Sequence, residues 1–283
     1  MLVDKPAGKT SHDVVQHVRR ALGIRAAGHT GTLDPFATGL LVVLLGRATR
    51  LARFVEARRK TYVATARLGI RTTTDDLTGE PIGPQSPVQV SELELREVLM
   101  RFQGPQAQRP PQFSAKRVEG ERSYRKARRG ETVALADVPV TVYDIALLGY
   151  RPPELEFRIT VSAGTYIRAV ARDLGDQLGV GAHLTKLRRT AIGSLSVESA
   201  VTLEEVSPEA VLPVLQVLED VPAVELDEAA RIAILHGRAV LDERGEGQRA
   251  SGAAVALLAA GELVAMARAE QGRLHPTVVL GET

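Results

Sequence analysis

One stretch constrains this chain more than any other: the glycine-rich segment 28–39, which runs directly into the apolar residues 40–45. Its glycines, at positions 28, 31 and 39, let the backbone take a positive φ or approach another group closely. Pro35 disfavours the α region for the preceding residue, so we expect Asp34 to be extended. The apolar run predicts a buried strand. Asp34 is therefore expected on a loop anchored to the core, which is a common way to carry a catalytic group.

The residues of this loop alone leave other interpretations open. A glycine-rich loop with an Asp-Pro pair is most often an ordinary turn. The loop lacks the Gly-Lys-Ser/Thr ending of a P-loop and the Gly-x-Gly-x-x-Gly spacing of a dinucleotide site. Nucleotide binding of either kind is therefore disfavoured.

Length and composition exclude several classes of protein. The 283 residues suffice for one large domain and a small one. The chain has no cysteine, which excludes disulfides, Cys-ligated zinc, thiol catalysis and a zinc nucleobase deaminase. No apolar run approaches the roughly 18 residues of a membrane span, and no secretory leader is evident, so we expect a cytoplasmic protein without membrane contact.

The formal net charge is only +2, with a pI of about 9.0, so any affinity for nucleic acid must come from the placement of the basic residues. They are concentrated in segment 104–130, where prolines disfavour a helix. The basic residues there are Arg109, Lys116, Arg117, Arg122, Arg125, Lys126, Arg128 and Arg129. With Phe113 and Tyr124 among them, they can neutralise phosphates and stack on loop nucleotides. The alternative is a charged, exposed helix.

Capping signals predict two helices. Ser11 is expected to cap a helix whose Val14 and Val18 lie on one stripe. Ser91 and Glu94 form a capping box for a second helix.

Alternation of apolar residues predicts strands at residues 60–69, which include Tyr62, at 138–148 and at 155–161. On residues alone, Tyr62 is a core aromatic. The pattern then becomes helical to about residue 175 and places Arg168 in the first turn. A cation is unfavourable there because the positive end of the helix dipole is close, unless an anion lies beside it. Without such an anion, a surface arginine is the simpler interpretation.

Residues 28–39 have the sequence Gly-His-Thr-Gly-Thr-Leu-Asp-Pro-Phe-Ala-Thr-Gly. This sequence closely resembles the active-site motif of the TruB family of tRNA pseudouridine synthases. Four other segments resemble further motifs of the family: residues 4–6, the strand at 60–69, the Gly-Thr-Tyr-Ile-Arg at 164–168, and residues 179–193. The resemblance covers residues 1 to about 220, and the tail loosely resembles a PUA RNA-binding domain.

The resemblance implies an α+β pseudouridine synthase fold with a central mixed, mainly antiparallel sheet. We expect a catalytic domain at residues 1–221, with the basic insert at about 104–130 as an RNA-gripping element. A small β-rich, PUA-like domain is expected at 222–283, with a hairpin formed by strands at 254–258 and 263–267.

The resemblance also implies roles for single residues. Asp34 is the nucleophile, Arg168 pairs with it and keeps it ionised, and Tyr62 stacks on the flipped base and is the candidate for proton transfer at carbon 5. The predicted substrate-binding residues are His29, Lys5, Leu187, Asp76, Lys116, Arg117 and Tyr124.

Among these substrate-binding residues, His29 is expected to wedge into the T-loop and Leu187 to line the base pocket. Lys5 is expected to hold the catalytic loop or the RNA backbone, or else to be a plain solvated charge. Asp76 is either the partner of an active-site arginine or an exposed turn acid. Lys116, Arg117 and Tyr124 belong to the RNA-gripping insert.

The predicted activity is the isomerisation of uridine 55 in the T-loop of tRNA to pseudouridine. The reaction exchanges no electrons or atoms with a cofactor, so no cofactor and no metal are expected. The expected partner is the T-arm of tRNA, bound by a monomer without a protein partner. The alternatives are a guide-RNA-dependent pseudouridine synthase subunit and a tRNA-folding chaperone whose chemistry is dispensable.

Overall fold

A computed structural model of the protein describes residues 1–113, 117–118, 121–122, 135–242 and 249–281. The chain forms two units. The first unit comprises Met1–Asp34, Leu40–Ala57 and Gly193–Thr283, and the second comprises Pro35–Gly39 and Arg58–Ile192. Asp34 is thus the last residue of its segment of the first unit.

The N-terminal part of the first unit is built around the predicted apolar strand. Its elements are β1 (Leu2–Lys5), α1 (Ser11–Leu22), β2 (Ala27–His29), β3 (Thr38–Leu45), a 3-10 helix (Gly46–Leu51) and α2 (Ala52–Glu56). The strands β1 and β2 both pair with β3. Val14 and Val18 of α1 pack in one buried cluster with Leu41 and Val43 of β3, as the spacing of α1 predicts.

The cap of α1 differs from the prediction. Thr10, not Ser11, is the N-cap, and its side chain exchanges hydrogen bonds with Asp13 in a capping box. Asp13 supplies the acidic partner three residues after Thr10, which Ser11 lacks. Ser11 is instead the first helical residue, and its hydroxyl is used elsewhere in the fold.

The second unit contains the larger sheet. Its strands are β4 (Lys60–Leu68), β5 (Arg71–Thr72), β6 (Pro81–Ile82), β7 (Gly104–Gln108), β8 (Arg117–Val118), β9 (Glu121–Arg122), β10 (Val138–Arg151), β11 (Glu154–Val161) and β12 (Ala182–Ile192). Its helices are α3 (Glu92–Arg101), which has the predicted Ser91–Glu94 capping box, and α4 (Ile167–Gln177).

Strand β12 defines the mixed character of this sheet. The strands run in the order β12-β4-β11-β10-β7, and each neighbouring pair is antiparallel. Thr38 and Gly39, the first residues of β3, pair with β12 in parallel. The sheet is therefore mixed and mainly antiparallel, as predicted.

The C-terminal part of the first unit is β-rich. It contains β13 (Leu195–Ser196), short 3-10 helices (Val197–Ser199 and Pro208–Ala210), α5 (Val214–Val217), β14 (Ala223–Glu225), α6 (Glu228–Leu235), β15 (Val240–Leu241), β16 (Ala254–Ala259), β17 (Glu262–Glu270) and β18 (Arg273–Val279). A five-stranded sheet has the order β14-β16-β17-β18-β15. The predicted hairpin is present as β16 and β17. The domain boundary between residues 221 and 222 stays a prediction.

Candidate active site

The glycine-rich loop connects β2 and β3, the two strands of a β-hairpin. Strand β2 pairs antiparallel with the end of β3, and His29 lies opposite Val43. The amide of Thr30 donates to the carbonyl of Val42 at 3.1 Å. The loop that leads to Asp34 is therefore tied to a fully buried strand, as predicted for a fixed carboxylate.

Ser11 holds the residue immediately before Asp34. The amide of Leu33 donates to the Ser11 hydroxyl at 2.9 Å, and the hydroxyl donates back to the Leu33 carbonyl at 3.3 Å. Leu33 is buried and Asp34 is half-buried. Helix α1 thereby fixes the backbone at the carboxylate, and this explains why Ser11 does not serve as the cap.

His29 and Lys5 lie in the same unit as Asp34. The Nδ1 atom of the half-buried His29 accepts a hydrogen bond from the Gly31 amide at 3.3 Å, so this nitrogen carries no proton in that contact. Lys5 is fully buried, and its ammonium donates to the carbonyls of Pro6 and Lys9 at 2.9 and 2.7 Å. The interpretation of Lys5 as a solvated charge is wrong, because its own loop replaces water around the ammonium.

Gly39 allows the first residues of β3, which belong to the second unit, to approach β12 closely. Its φ is +102°, and a Cβ at this position would overlap the backbone of Arg189. The glycine thus serves strand pairing here. The residues just before this pair make a further contact: the guanidinium of Arg188 in β12 donates to the hydroxyl of Thr38 in β3 at 3.4 Å.

Tyr62 and Leu187 lie on the same face of the sheet. Tyr62 is opposite Arg189, and Leu187 is opposite Ala64, and side chains two residues apart on a strand share a face. Tyr62 and Leu187 are both 7% exposed, and Arg189 is 1% exposed. The geometry fits a base pocket lined by Tyr62 and Leu187, and it fits equally a packed core around Tyr62.

Asp76 is a buried acid on the loop between β5 and β6, not an exposed one. Its Oδ1 accepts from the hydroxyls of Thr74 and Thr78, both at 2.6 Å, and from the Thr78 amide at 2.9 Å. Its Oδ2 lies 3.4 Å from Nη1 of Arg168. A carboxylate with this many donors is held in one orientation.

Arg168 lies in the first turn of α4, as predicted, and is 5% exposed. Asp76 supplies the anion that the helix dipole argument requires. The guanidinium also donates to the carbonyls of Thr74 at 3.0 Å and Phe113 at 2.9 Å. The interpretation of Arg168 as a surface residue is wrong, because its partners replace water.

Sequence reasoning missed a second arginine of α4, Arg172, one turn after Arg168. It donates to Asp75 at 3.1 Å, to Asp173 at 2.8 Å and to the carbonyl of Arg109 at 2.9 Å. Burial raises the pKa of the Asp75 carboxyl, and the Arg172 guanidinium opposes that rise. Burial likewise raises the pKa of Asp173. The four-residue spacing from Arg168 is the signal that could have identified Arg172.

Sequence reasoning also missed Gln108, the last residue of β7, which is 2% exposed. Its side chain accepts from the Tyr166 amide at 2.8 Å and donates to the Tyr166 carbonyl at 3.1 Å. Tyr166 is the N-cap of α4 and makes no capping bond with its own side chain. Gln108 therefore satisfies the start of the helix that carries Arg168, and no local pattern predicts a cap supplied from a distant strand.

The described contacts do not test two sets of the predicted residues. Lys116 and Tyr124 lie outside the described residues, and for Arg117 only the backbone, in β8, is described. Asp34 belongs to the first unit, whereas Tyr62, Asp76, Arg168 and Leu187 belong to the second. The pairing of Arg168 with Asp34 stays a prediction.

Within the described ranges, no cluster of at least three His, Cys, Asp or Glu side chains could hold a metal ion. No helix in that part of the chain is long and apolar enough to span a bilayer.

Comparison with protein families decides the family of this chain. Residues 19–167 match the N-terminal domain of the TruB family of pseudouridylate synthases. Residues 168–220 match the C-terminal domain of tRNA pseudouridylate synthase B. The chain belongs to the TruB family. The resemblance seen in the motifs is therefore confirmed.

Relatives in the TruB family extend over nearly the whole chain. A tRNA pseudouridine synthase B of Thermobifida fusca (strain YX) is 43% identical over 99% of this chain and 97% of its own length. One of Solibacter usitatus (strain Ellin6076) is 41% identical over 99% of both chains.

Solved structures confirm the pseudouridine synthase fold. An H/ACA ribonucleoprotein bound to a substrate RNA containing 2'-deoxyuridine matches with a TM-score of 0.76 and 27% identity, over 99% of this chain and 84% of the other. A Cbf5-Nop10-Gar1 complex matches with a TM-score of 0.75 and 29% identity, over 99% of this chain and 83% of the other. With the observed sheets, these matches bear out the predicted fold class.

Proposed function

We propose that this protein isomerises uridine 55 in the T-loop of tRNA to pseudouridine, acting in the cytoplasm as a monomer without a guide RNA. The observation that carries the proposal is the match to relatives named tRNA pseudouridine synthase B over nearly their whole length, at 41–43% identity. The ribonucleoprotein structures are less similar, at 27–29% identity. This difference favours the stand-alone enzyme over the guide-dependent alternative.

The reaction breaks the N1–C1' bond of uridine, rotates the base and forms a C5–C1' bond, while the proton on carbon 5 leaves to solvent and N1 takes up a proton. A single positioned carboxylate suffices, because no water has to be activated. We assign the role of the nucleophilic carboxylate to Asp34. The two hydrogen bonds between Ser11 and Leu33 support the assignment because they hold the backbone beside the carboxylate, and catalysis depends on such fixed geometry.

Arg168 is assigned to the orientation of Asp34 and to stabilisation of its charged form. Its own orientation is supported by the contact with Asp76 at 3.4 Å and by the carbonyls of Thr74 and Phe113. A planar guanidinium held at this many points has a fixed orientation, so it can orient a carboxylate with little loss of entropy. Asp76 thus acts through Arg168.

Tyr62 and Leu187 are assigned to the flipped base. An extruded base loses its stacking neighbours, and an aromatic face replaces them. The buried positions of both side chains on one sheet face support a pocket that excludes water. His29 is assigned to the T-loop, as a ring that enters the space left by the extruded uridine, and Lys5 to holding the loop at residues 6–9 in place.

The insert at about 104–130 is assigned to the phosphates of the T-arm. Replacing Lys116 and Arg117 by Ala is expected to weaken tRNA binding and to reduce the slope of log affinity against log salt by about 1 to 2. Exchange of Arg96, an exposed arginine paired with Glu92 on α3, for Ala is the matched control. An unchanged slope would remove these two residues from the RNA footprint.

The activity is tested by tritium release from tRNA transcripts labelled at carbon 5 of uridine, with purified protein and no other RNA. A second transcript carries cytidine at position 55. We expect release from the first transcript only, and no release with Asp34→Asn. Release from both would overturn the assignment to position 55. No release from either, with tight tRNA binding, would favour a guide-dependent or chaperone role.

A further inference from the structure

Two arginines on one face of α4 join the same two segments of the second unit. Arg168 contacts the β5–β6 loop through Asp76 and Thr74, and it contacts the segment after β7 through the carbonyl of Phe113. One helical turn later, Arg172 contacts that loop through Asp75 and that segment through the carbonyl of Arg109. The two residues thus form parallel bridges between residues 74–76 and residues 109–113.

From this arrangement we infer that Arg172 is a positioning residue for Arg168. Every partner of Arg168 described above lies within one to four residues of a partner of Arg172. Movement of either segment would move the groups that orient the Arg168 guanidinium. The inference rests on the proposed function, in which Arg168 orients the nucleophile.

The burial and shape of the Arg172 side chain suit it to bridge these two segments. It is only 12% exposed, so its bonds are shielded from water and a lost partner is costly. The planar guanidinium reaches a carboxylate on one side and a carbonyl on the other in fixed directions. A lysine can preserve the charge beside Asp75 and Asp173, but its single ammonium cannot reproduce this fork.

The backbone at Asp75 explains why the loop needs a clamp. Asp75 has a φ of +59°, which is unfavourable for a residue other than glycine. Its carbonyl accepts from the Leu184 amide of β12 at 3.0 Å. The contact between the Asp75 carboxylate and Arg172 adds a second restraint at this strained position, immediately before Asp76.

The test uses the Arg172→Lys variant of the full-length protein in single-turnover isomerisation of a tRNA transcript. We expect the rate at saturating enzyme to fall about 10-fold while tRNA affinity stays within about 2-fold, because orientation is lost and not binding. Asp75→Asn, which breaks the same bridge from the loop side, is expected to lower the rate as well. Arg158→Lys, at an exposed ion pair with Asp144, is the control and should leave the rate unchanged.

A double-mutant cycle separates positioning from a general structural effect. In an Arg168→Lys background, Arg172→Lys should lower the rate by less than about 2-fold further, since both changes act through one guanidinium. Full additivity would overturn the inference. A rise in the tRNA dissociation constant with an unchanged rate would overturn it too, since Arg172 would then act on binding.

Amide hydrogen exchange provides a readout that does not require activity. Arg172→Lys should increase exchange in residues 71–80 and 105–113 and leave the β16–β17 hairpin unchanged. Unchanged exchange in both segments would overturn the inference even if the wild type showed no turnover. Absence of wild-type turnover alone would count against the proposed function and not against the bridge.

Discussion

The loops that carry Asp34 and Asp76 hold their carboxylates in different ways. Segment 28–39 is restrained through its backbone: Gly28 and His29 pair with the end of β3. Thr38 and Gly39, the first residues of β3, pair with β12, and Ser11 binds both backbone groups of Leu33. Segment 71–80 is restrained through its side chains, because the carboxylate of Asp76 accepts three hydrogen bonds on one oxygen and faces Arg168 with the other. Asp34 is half-buried, whereas Asp76 is 4% exposed.

This difference suits the two carboxylates to different roles. A carboxylate whose oxygens are occupied by the protein is suited to orienting a neighbouring cation. A half-buried carboxylate on a loop with a fixed backbone is positioned precisely and is accessible to a substrate. This comparison agrees with the proposed function, in which Asp34 acts on the uridine and Asp76 acts on Arg168.

The strongest test of the comparison is Asp34→Asn. If Asp34 is the nucleophile, turnover should fall by at least about 10³-fold, since an amide cannot replace it. Affinity for tRNA should stay within a few-fold, and single-turnover tritium release together with filter binding measures both. Retained turnover would show that the half-buried acid is not the reacting one.

Asp76→Asn should have an intermediate effect. The amide leaves the Arg168 charge without its carboxylate, so we expect about 10- to 100-fold slower turnover and a free energy of unfolding lower by about 2–4 kcal/mol. Rates and urea denaturation of the same preparation measure the two effects. A loss of turnover as large as that of Asp34→Asn would erase the distinction between the two acids.

Ser11→Ala tests whether the backbone restraint matters. Loss of the hydroxyl leaves the Leu33 amide without this partner in a buried position, and we expect about 1–2 kcal/mol of destabilisation and a several-fold slower rate. Thr10→Ala removes the adjacent helix cap at a similar cost of about 1 kcal/mol. It should leave the rate unchanged, because Thr10 does not contact the loop. Equal rates for both variants would argue against a role for the Ser11 contact.

The smallest expected effect is a dependence of folding stability on pH that arises from Asp75. Burial raises its pKa above the ordinary 3.8, so between 3.8 and the raised value the folded state binds more protons than the unfolded state. Stability therefore falls as the pH rises through this window. Relative to Asp75→Asn, the wild type should lose stability from about pH 4 upward, measured by urea denaturation across pH. The opposite trend would mean that Arg172 outweighs burial.

Much of the site could be predicted from short patterns. The strand at residues 40–45, the alternation around Tyr62 and the placement of Arg168 in a first helical turn follow from hydrophobic period and turn chemistry, and the structure has all three. The cap of α1 lies one residue earlier than predicted: Thr10 and Ser11 are both good caps, but only Thr10 has an acid at the required spacing. The burial of Lys5 was not predicted, because carbonyls of its own loop accept from its ammonium and no sequence pattern marks such acceptors.

The sequence by itself determined the family, the main helices and strands and the candidates for the catalytic residues, because these depend on local spacing and on motifs of adjacent residues. Only the tertiary structure decided which groups meet: Asp76 with Arg168, Asp75 with Arg172, and Gln108 with Tyr166. Each of these contacts joins positions that are distant along the chain. They form because buried polar groups must find partners once water is excluded, and no local pattern specifies which partner that is.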